Sequence, residues 1–207
     1  MRGKFITLEG PDGSGKSTMI NLIGQFLKEN GQEFILTREP GGTKIGEKIR
    51  DIIIDREHDN MGAETEALLF AASRAQHVHE KIIPSINEGK IVVCDRFLLS
   101  SLAYQGVGRD LGIERVKMIN DFGLRGIVPD LILFFHVDPE VTLLRKTKEG
   151  GDRLEEEGGS FHKQVYDGYM TLLKKYPDNI VLIDATKPIE DVYAQTINAL
   201  KERLESN

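Results

Sequence analysis

The sequence predicts an α/β fold of three layers, a five-stranded parallel sheet flanked by helices. Three observations carry this. Five short apolar runs recur along the chain: Phe5 to Leu8, Glu33 to Thr37, Lys90 to Cys94, Asp130 to Val137 and Asn179 to Ile183. Their apolarity is continuous rather than alternating, the pattern of strands buried on both faces. The segments between them are long enough for crossover helices. The 207 residues are 40% hydrophobic and 29% charged, a size and balance suited to one core, so a single domain spanning 1–207 is expected.

Composition also excludes some classes. The net charge of −6 argues against a nucleic-acid partner. No apolar run approaches membrane-spanning length, and the run after Arg2 and Lys4 stops at Glu9, too short for a secretion signal. The single cysteine, Cys94, allows no internal disulfide and reads as a buried, inert thiol; a cytoplasmic location is expected.

The first strand runs into Gly10-Pro11-Asp12-Gly13-Ser14-Gly15-Lys16-Ser17-Thr18, which fits the phosphate-binding pattern G-x-x-x-x-G-K-[ST]. The glycines let successive N–H groups turn inward toward phosphate oxygens. A helix follows, with apolar residues at Ile20, Ile23, Phe26 and Leu27, and adds its positive end. Lys16 would reach the β- and γ-phosphates, and the Ser17 hydroxyl would ligate Mg²⁺. An ATP or GTP site follows. No N-K-x-D guanine-reading motif is present, which disfavours a GTPase switch.

A kinase needs a second site facing the γ-phosphate, and four segments offer one. Thr37-Arg38-Glu39-Pro40-Gly41-Gly42-Thr43 follows the second strand, at the sheet edge where α/β folds place ligands. Asp95-Arg96-Phe97 follows the third strand; Asp95 could hold Mg²⁺ through water and Arg96 could grip a phosphate. A helix around Leu68 to Ile86 carries the stripe Leu68, Leu69, Ala72, Ala75, Ile82, Ile83 and Ile86, with Pro84 set to kink or end it. Phe70 and Arg74 fall on the opposite side, one turn apart; stacking on a base and packing against another helix both remain open. His77 and His79 diverge on that helix and do not read as metal ligands. Ser100-Ser101-Leu102-Ala103-Tyr104-Gln105-Gly106 completes the set. The segment Glu149 to Gly159, EGGDRLEEEGG, is nearly devoid of apolar residues and reads as an exposed, mobile flap, with Arg153 as its functional candidate.

GPDGSGKST at 10–18, TREPGGT at 37–43, LLFAASR at 68–74, DRFLLSSLAYQG at 95–106, DRLE at 152–155 and FHKQVYDGY at 161–169 together resemble the bacterial thymidylate kinases over nearly the whole chain. The resemblance implies a P-loop kinase fold with a short mobile lid at about 145–159. It implies transfer of the ATP γ-phosphoryl group to dTMP, with Mg²⁺, by a homodimer. It places Asp12 near the sugar 3′-hydroxyl, Phe70 against thymine, Arg74 on its O4 and Arg96 on the dTMP phosphate. Ser101 and Gln105 line the base and sugar site, with Tyr104 beside the 2′-carbon. Tyr169 lines the sugar pocket, Glu39 and Pro40 lie near the nucleotide, and Arg145 stacks on adenine. Two departures stand out. Phe97 and Leu99 replace a frequent tyrosine and a small or acidic residue, so no role carries over to them. Gly13-Ser14 replaces an arginine found in some relatives, which assigns the catalytic arginine to the lid, at Arg153. Rival readings are a kinase for dUMP, UMP or AMP, or a nucleotide switch.

Overall fold

The structure, a computed structural model, describes residues 2–138, 152–154, 156–176 and 178–205. Five strands form one parallel sheet: β1 (Phe5–Glu9), β2 (Phe34–Arg38), β3 (Ile91–Asp95), β4 (Leu131–His136) and β5 (Ile180–Asp184), in the order β2-β3-β1-β4-β5. Each lies within a residue or so of its apolar run. The three central strands are nearly or fully buried. Edge strands β2 and β5 are half-exposed, and β5 leaves Leu182 59% exposed. Continuous apolarity therefore reflects two-sided burial only at the centre of the sheet.

The parallel register sorts side chains between two faces. Ile6 and Leu8 of β1, Val93 of β3 and Leu133 of β4 meet α1 (Lys16–Glu29) and the C-terminal helix, here α8 (Ile189–Glu205). Phe5, Thr7 and Glu9 point to the other face. That face is covered by α3 (Ala63–His77), α4 (Ile83–Asn87), α5 (Leu98–Ser101), α6 (Ile113–Leu124) and α7 (Gly159–Lys175); α2 (Lys44–Ile54) packs against α3. Two apolar clusters lie there, one around Leu102, Phe134 and Leu172, the other around Phe5, Phe97 and Ile82.

The third helix differs from expectation in two places. Pro84 does not end the helical path: the chain passes from α3 through a π-helical turn, Val78–Ile82, into α4. In that turn the Ile83 N–H bonds the Val78 carbonyl, and Pro84, lacking an N–H, sits in the first turn of α4, where no donor is needed. The apolar stripe is also misplaced at its start. α3 buries Glu66, Ser73, Arg74 and His77, and leaves Leu68 56% exposed. The polar side faces inward because its groups find partners there.

Candidate active site

The glycine loop forms because β1 must turn sharply into α1 over a crowded neighbour. Gly10 has φ +136°, and a Cβ there would stand 2.6 Å from the Phe135 carbonyl oxygen, so no side chain fits. Gly15 enters the helix at φ +90°, and no side chain caps α1. The first N–H groups of α1 are thus left for an anion. Lys16 folds back over the loop, donating to the carbonyls of Gly10 at 3.0 Å and Pro11 at 2.7 Å and to Ser14 Oγ at 3.3 Å. Burial, with Arg96 adding repulsion, pushes the Lys16 ammonium down to about 8, against the pull of Asp12, Asp95 and Glu9.

β3 ends beside β1, so Asp95 and Arg96 arrive at the mouth of the loop. Arg96 takes the left-handed conformation (φ 67°), its N–H on the Leu8 carbonyl at 2.9 Å. Its Nη1 donates to the Gly10 carbonyl at 3.0 Å, Ser100 Oγ at 3.0 Å and Tyr169 Oη at 3.2 Å; its Nη2 pairs with Asp12. Lys16 and Arg96 therefore donate to the same carbonyl oxygen. Burial alone would raise the Asp12 carboxyl, but Arg96, Lys16 and the Tyr104 hydroxyl at 2.7 Å outweigh it and hold Asp12 well below the usual range. Asp95 Oδ1 is buried without a hydrogen-bond partner among the described residues. Tyr169 is fully buried and braces Arg96; it does not face the adjoining pocket.

That pocket is lined by Glu39, Pro40, Phe70, Arg74, Ser101, Tyr104 and Gln105, together with Asp12 and Arg96. Its floor is the Arg74 guanidinium, 2% exposed. Nε bonds Glu39 at 2.7 Å, Nη1 bonds Ser101 at 3.0 Å and Asn120, and Nη2 bonds the Phe97 carbonyl at 2.9 Å. Glu39 is fixed in turn by His77 Nδ1–H at 2.8 Å, and His77 Nε2 meets Thr37 Oγ1 at 2.7 Å. Cys94 comes within 4.8 Å of this pair. Burial pushes its thiol well up, so it stays protonated, and its S–H points to the Arg96 carbonyl at 3.1 Å. Both His77 nitrogens are already bonded, so Thr37, His77 and Glu39 form a hydrogen-bonded network, with the Cys94 S–H bonded apart from it. Gln105 donates to Glu66 at 2.9 Å, leaving its buried Oε1 without a partner among the described residues.

The lid segment lends Asp152 and Leu154 to the pocket wall. Arg153 is not brought to Lys16 and Arg96. It donates to Glu66 at 2.7 Å and the Ile53 carbonyl at 2.9 Å, 8% exposed, behind the pocket wall that Gln105 forms. Burial would raise the Glu66 carboxyl, but Arg109, Gln105 and Arg153 together lower it. Arg145 lies outside the described residues. Ser17 and Thr18 stand exposed on the first turn of α1, beside the loop.

Sequence reasoning missed several residues that hold this geometry. Glu9, the last residue of β1, accepts the Phe97 N–H at 2.9 Å and the Ser100 hydroxyl at 2.5 Å; burial raises its carboxyl, partly offset by Ser100, Arg96 and the Phe97 N–H. The lone charge closing a fully buried strand was the available signal. Glu66, His77 and Asn120 left no such mark, since their partners lie far along the chain.

A family model described as "Thymidylate kinase" matches residues 8–196. The thymidylate kinase of Finegoldia magna is 59% identical over 200 residues, covering 96% of this chain and 98% of the relative. That of Lactobacillus helveticus is 56% identical over 211 residues, covering 99% and 98%. That of Geobacillus thermodenitrificans is 46% identical over 210 residues, covering 100% and 93%.

Proposed function

The chain belongs to the thymidylate kinase family, an enzyme that phosphorylates dTMP to dTDP, and we propose that this member takes the γ-phosphoryl group from ATP with Mg²⁺ bound. One observation carries the reading: Lys16 Nζ and Arg96 Nη1 stand 3.0 Å from the same Gly10 oxygen. The donor's phosphates take the glycine loop (residues 10–15), Lys16, Ser17 and Thr18, and the acceptor phosphate takes Arg96. Two polyanions thus meet between two cations in one buried corner.

The acceptor is a phosphate oxygen with a second pKa near about 6, already ionised at neutral pH, so no general base is required. Asp12 is held ionised by Arg96 and serves to orient that guanidinium and the Tyr104 hydroxyl at the sugar. Phe70 stacks on the base, the Gln105 Oε1 accepts the N3–H, and Arg74 presents its remaining N–H to O4. Glu39 and Pro40 close the pocket. Ser17 and Asp95 Oδ1, which has no partner among the described residues, suit the divalent cation, which when bound would neutralise charge on the transferring phosphates.

Arg153 acts here through Glu66: it braces the carboxylate that fixes the Gln105 amide, and so positions the base pocket. A homodimer is also proposed. α3 packs against both α2 and α6, and these helices expose Ile52, Leu68, Met118 and Phe122, the last 94% exposed. Light scattering of Phe122→Asp should report a monomer where the parent is a dimer.

A coupled assay over dTMP, dUMP, UMP and AMP with ATP and Mg²⁺ tests the substrate assignment. dTMP should give the highest kcat/KM, and UMP should be rejected by Tyr104 against a 2′-hydroxyl. Equal turnover of UMP, or ATP hydrolysis that no monophosphate accelerates, would favour the rival readings.

A further inference from the structure

We propose that Glu9 is a positioning residue for the reaction: its carboxylate fixes the Arg96 guanidinium, acting through Ser100 and through the backbone that follows Arg96. The role rests on the reading above that Arg96 holds the acceptor phosphate. Arg96 and Ser100 line the pocket, whereas Glu9, 1% exposed at the end of β1, takes no part in its lining.

Two clamps meet at Arg96. Its backbone is left-handed, φ 67°, a conformation that a residue with a side chain keeps only when its neighbours hold it. The last two residues of β1 hold it from both sides. The Arg96 N–H bonds the Leu8 carbonyl at 2.9 Å, and the Phe97 N–H bonds Glu9 Oε1 at 2.9 Å. The second clamp acts on the side chain. Glu9 Oε2 accepts the Ser100 hydroxyl at 2.5 Å, the length of an O–H···O⁻ bond. Burial works against the Glu9 charge, and the nearby Arg96 and Arg74 support it. An ionised carboxylate can only accept, so Ser100 gives its one hydrogen to Glu9. Ser100 Oγ is then left to accept, from Tyr169 Oη at 2.9 Å and from Arg96 Nη1 at 3.0 Å. Tyr169, its hydrogen given to Ser100, accepts from Arg96 Nη1 at 3.2 Å. Every hydrogen in this chain points from Arg96 toward Glu9. Nη1 is thereby anchored, and the Nη2 side, paired only with Asp12 among the described residues, is left for an anion. An amide at position 9 breaks that order. Its oxygen can keep the Phe97 N–H, but its NH₂ then donates to Ser100 and turns the hydroxyl hydrogen toward Tyr169 or Arg96.

The test compares dTMP with thymidine, which lacks the phosphate, by isothermal titration calorimetry. Glu9→Gln should weaken dTMP about tenfold, the size of one hydrogen bond to a charged group, and thymidine by less than about twofold. Ser100→Ala keeps the Phe97 clamp and carries the test by itself should Glu9→Gln not fold; it should separate the two ligands in the same way. The double variant should lose less than about twofold more dTMP affinity than either single one, because both act through one relay. An equal loss for dTMP and thymidine, an unchanged dTMP affinity, or additive losses in the double variant would each overturn the proposal. Arg96→Gln separates this from the reading beneath it: it should weaken dTMP against thymidine more strongly still. If it does not, Arg96 does not hold the phosphate. If it does while Glu9→Gln and Ser100→Ala do not, only the positioning role of Glu9 falls.

Discussion

Lys16 and Glu39 carry most of what the site asks of single residues. On the proposed reading Lys16 holds donor phosphates only when charged, and burial pushes its ammonium down to about 8 in the free enzyme. kcat/KM for the donor should be level between the acceptor phosphate's own pKa, about 6, and that pH, and fall as pH rises through it. With donor bound, the phosphates favour the ammonium, so the fall in kcat should come at higher pH. Parallel pH–rate profiles check this; a kcat/KM that stays flat to pH 10 would contradict it. Glu39 neutralises Arg74 where both are 2% exposed. Glu39→Ala strands a buried guanidinium and should cost about 3–5 kcal/mol in urea unfolding, with a raised KM for dTMP. Unchanged stability would show that Arg74 has another counter-charge. The glycine loop was legible at this scale because its chemistry lies within nine consecutive residues. The lining of the adjoining pocket was legible only through the resemblance, and the bonds that build it were not legible at all. Ser100 meets Glu9 from 91 positions away and Arg74 meets Asn120 from 46, and no local pattern announces such pairs.

At the level of elements, strands were easier to read than helices. A central parallel strand needs apolar residues on both faces, so β1, β3 and β4 announce themselves. α3 misled because apolar periodicity assumes that the buried side is apolar. Here the buried side carries Glu66, Ser73, Arg74 and His77, satisfied by neighbouring elements and turned to the pocket, and Leu68 faces out. The lid shows the same effect. Sequence assigns Arg153 to phosphoryl transfer, whereas the structure joins it to Glu66 and α2. Arg153→Ala should therefore raise KM for dTMP severalfold and lower kcat less, the reverse of a transition-state contact. A large fall in kcat at constant KM would return Arg153 to the phosphates.

For the whole molecule, the order β2-β3-β1-β4-β5 does the assembling. It sets the carboxyl ends of β1 and β3 side by side, so the glycine loop and the Asp95-Arg96 pair meet at one sheet edge. The fold class and this meeting point were legible from where the two motifs fall after their strands. The shared Gly10 oxygen was not, since it depends on the left-handed backbone at Arg96 and on side chains from α5 and α7 that brace it. The central claim is that donor and acceptor phosphates meet between Lys16 and Arg96. A crystal structure with a dinucleotide mimic joining adenosine to thymidine through phosphates tests it most directly. The phosphate chain should run from the loop to Arg96 with no protein group between, and the thymine should lie on Phe70. A thymidine end seated elsewhere, with Arg96 still bound only to Asp12 and Gly10, would contradict the account.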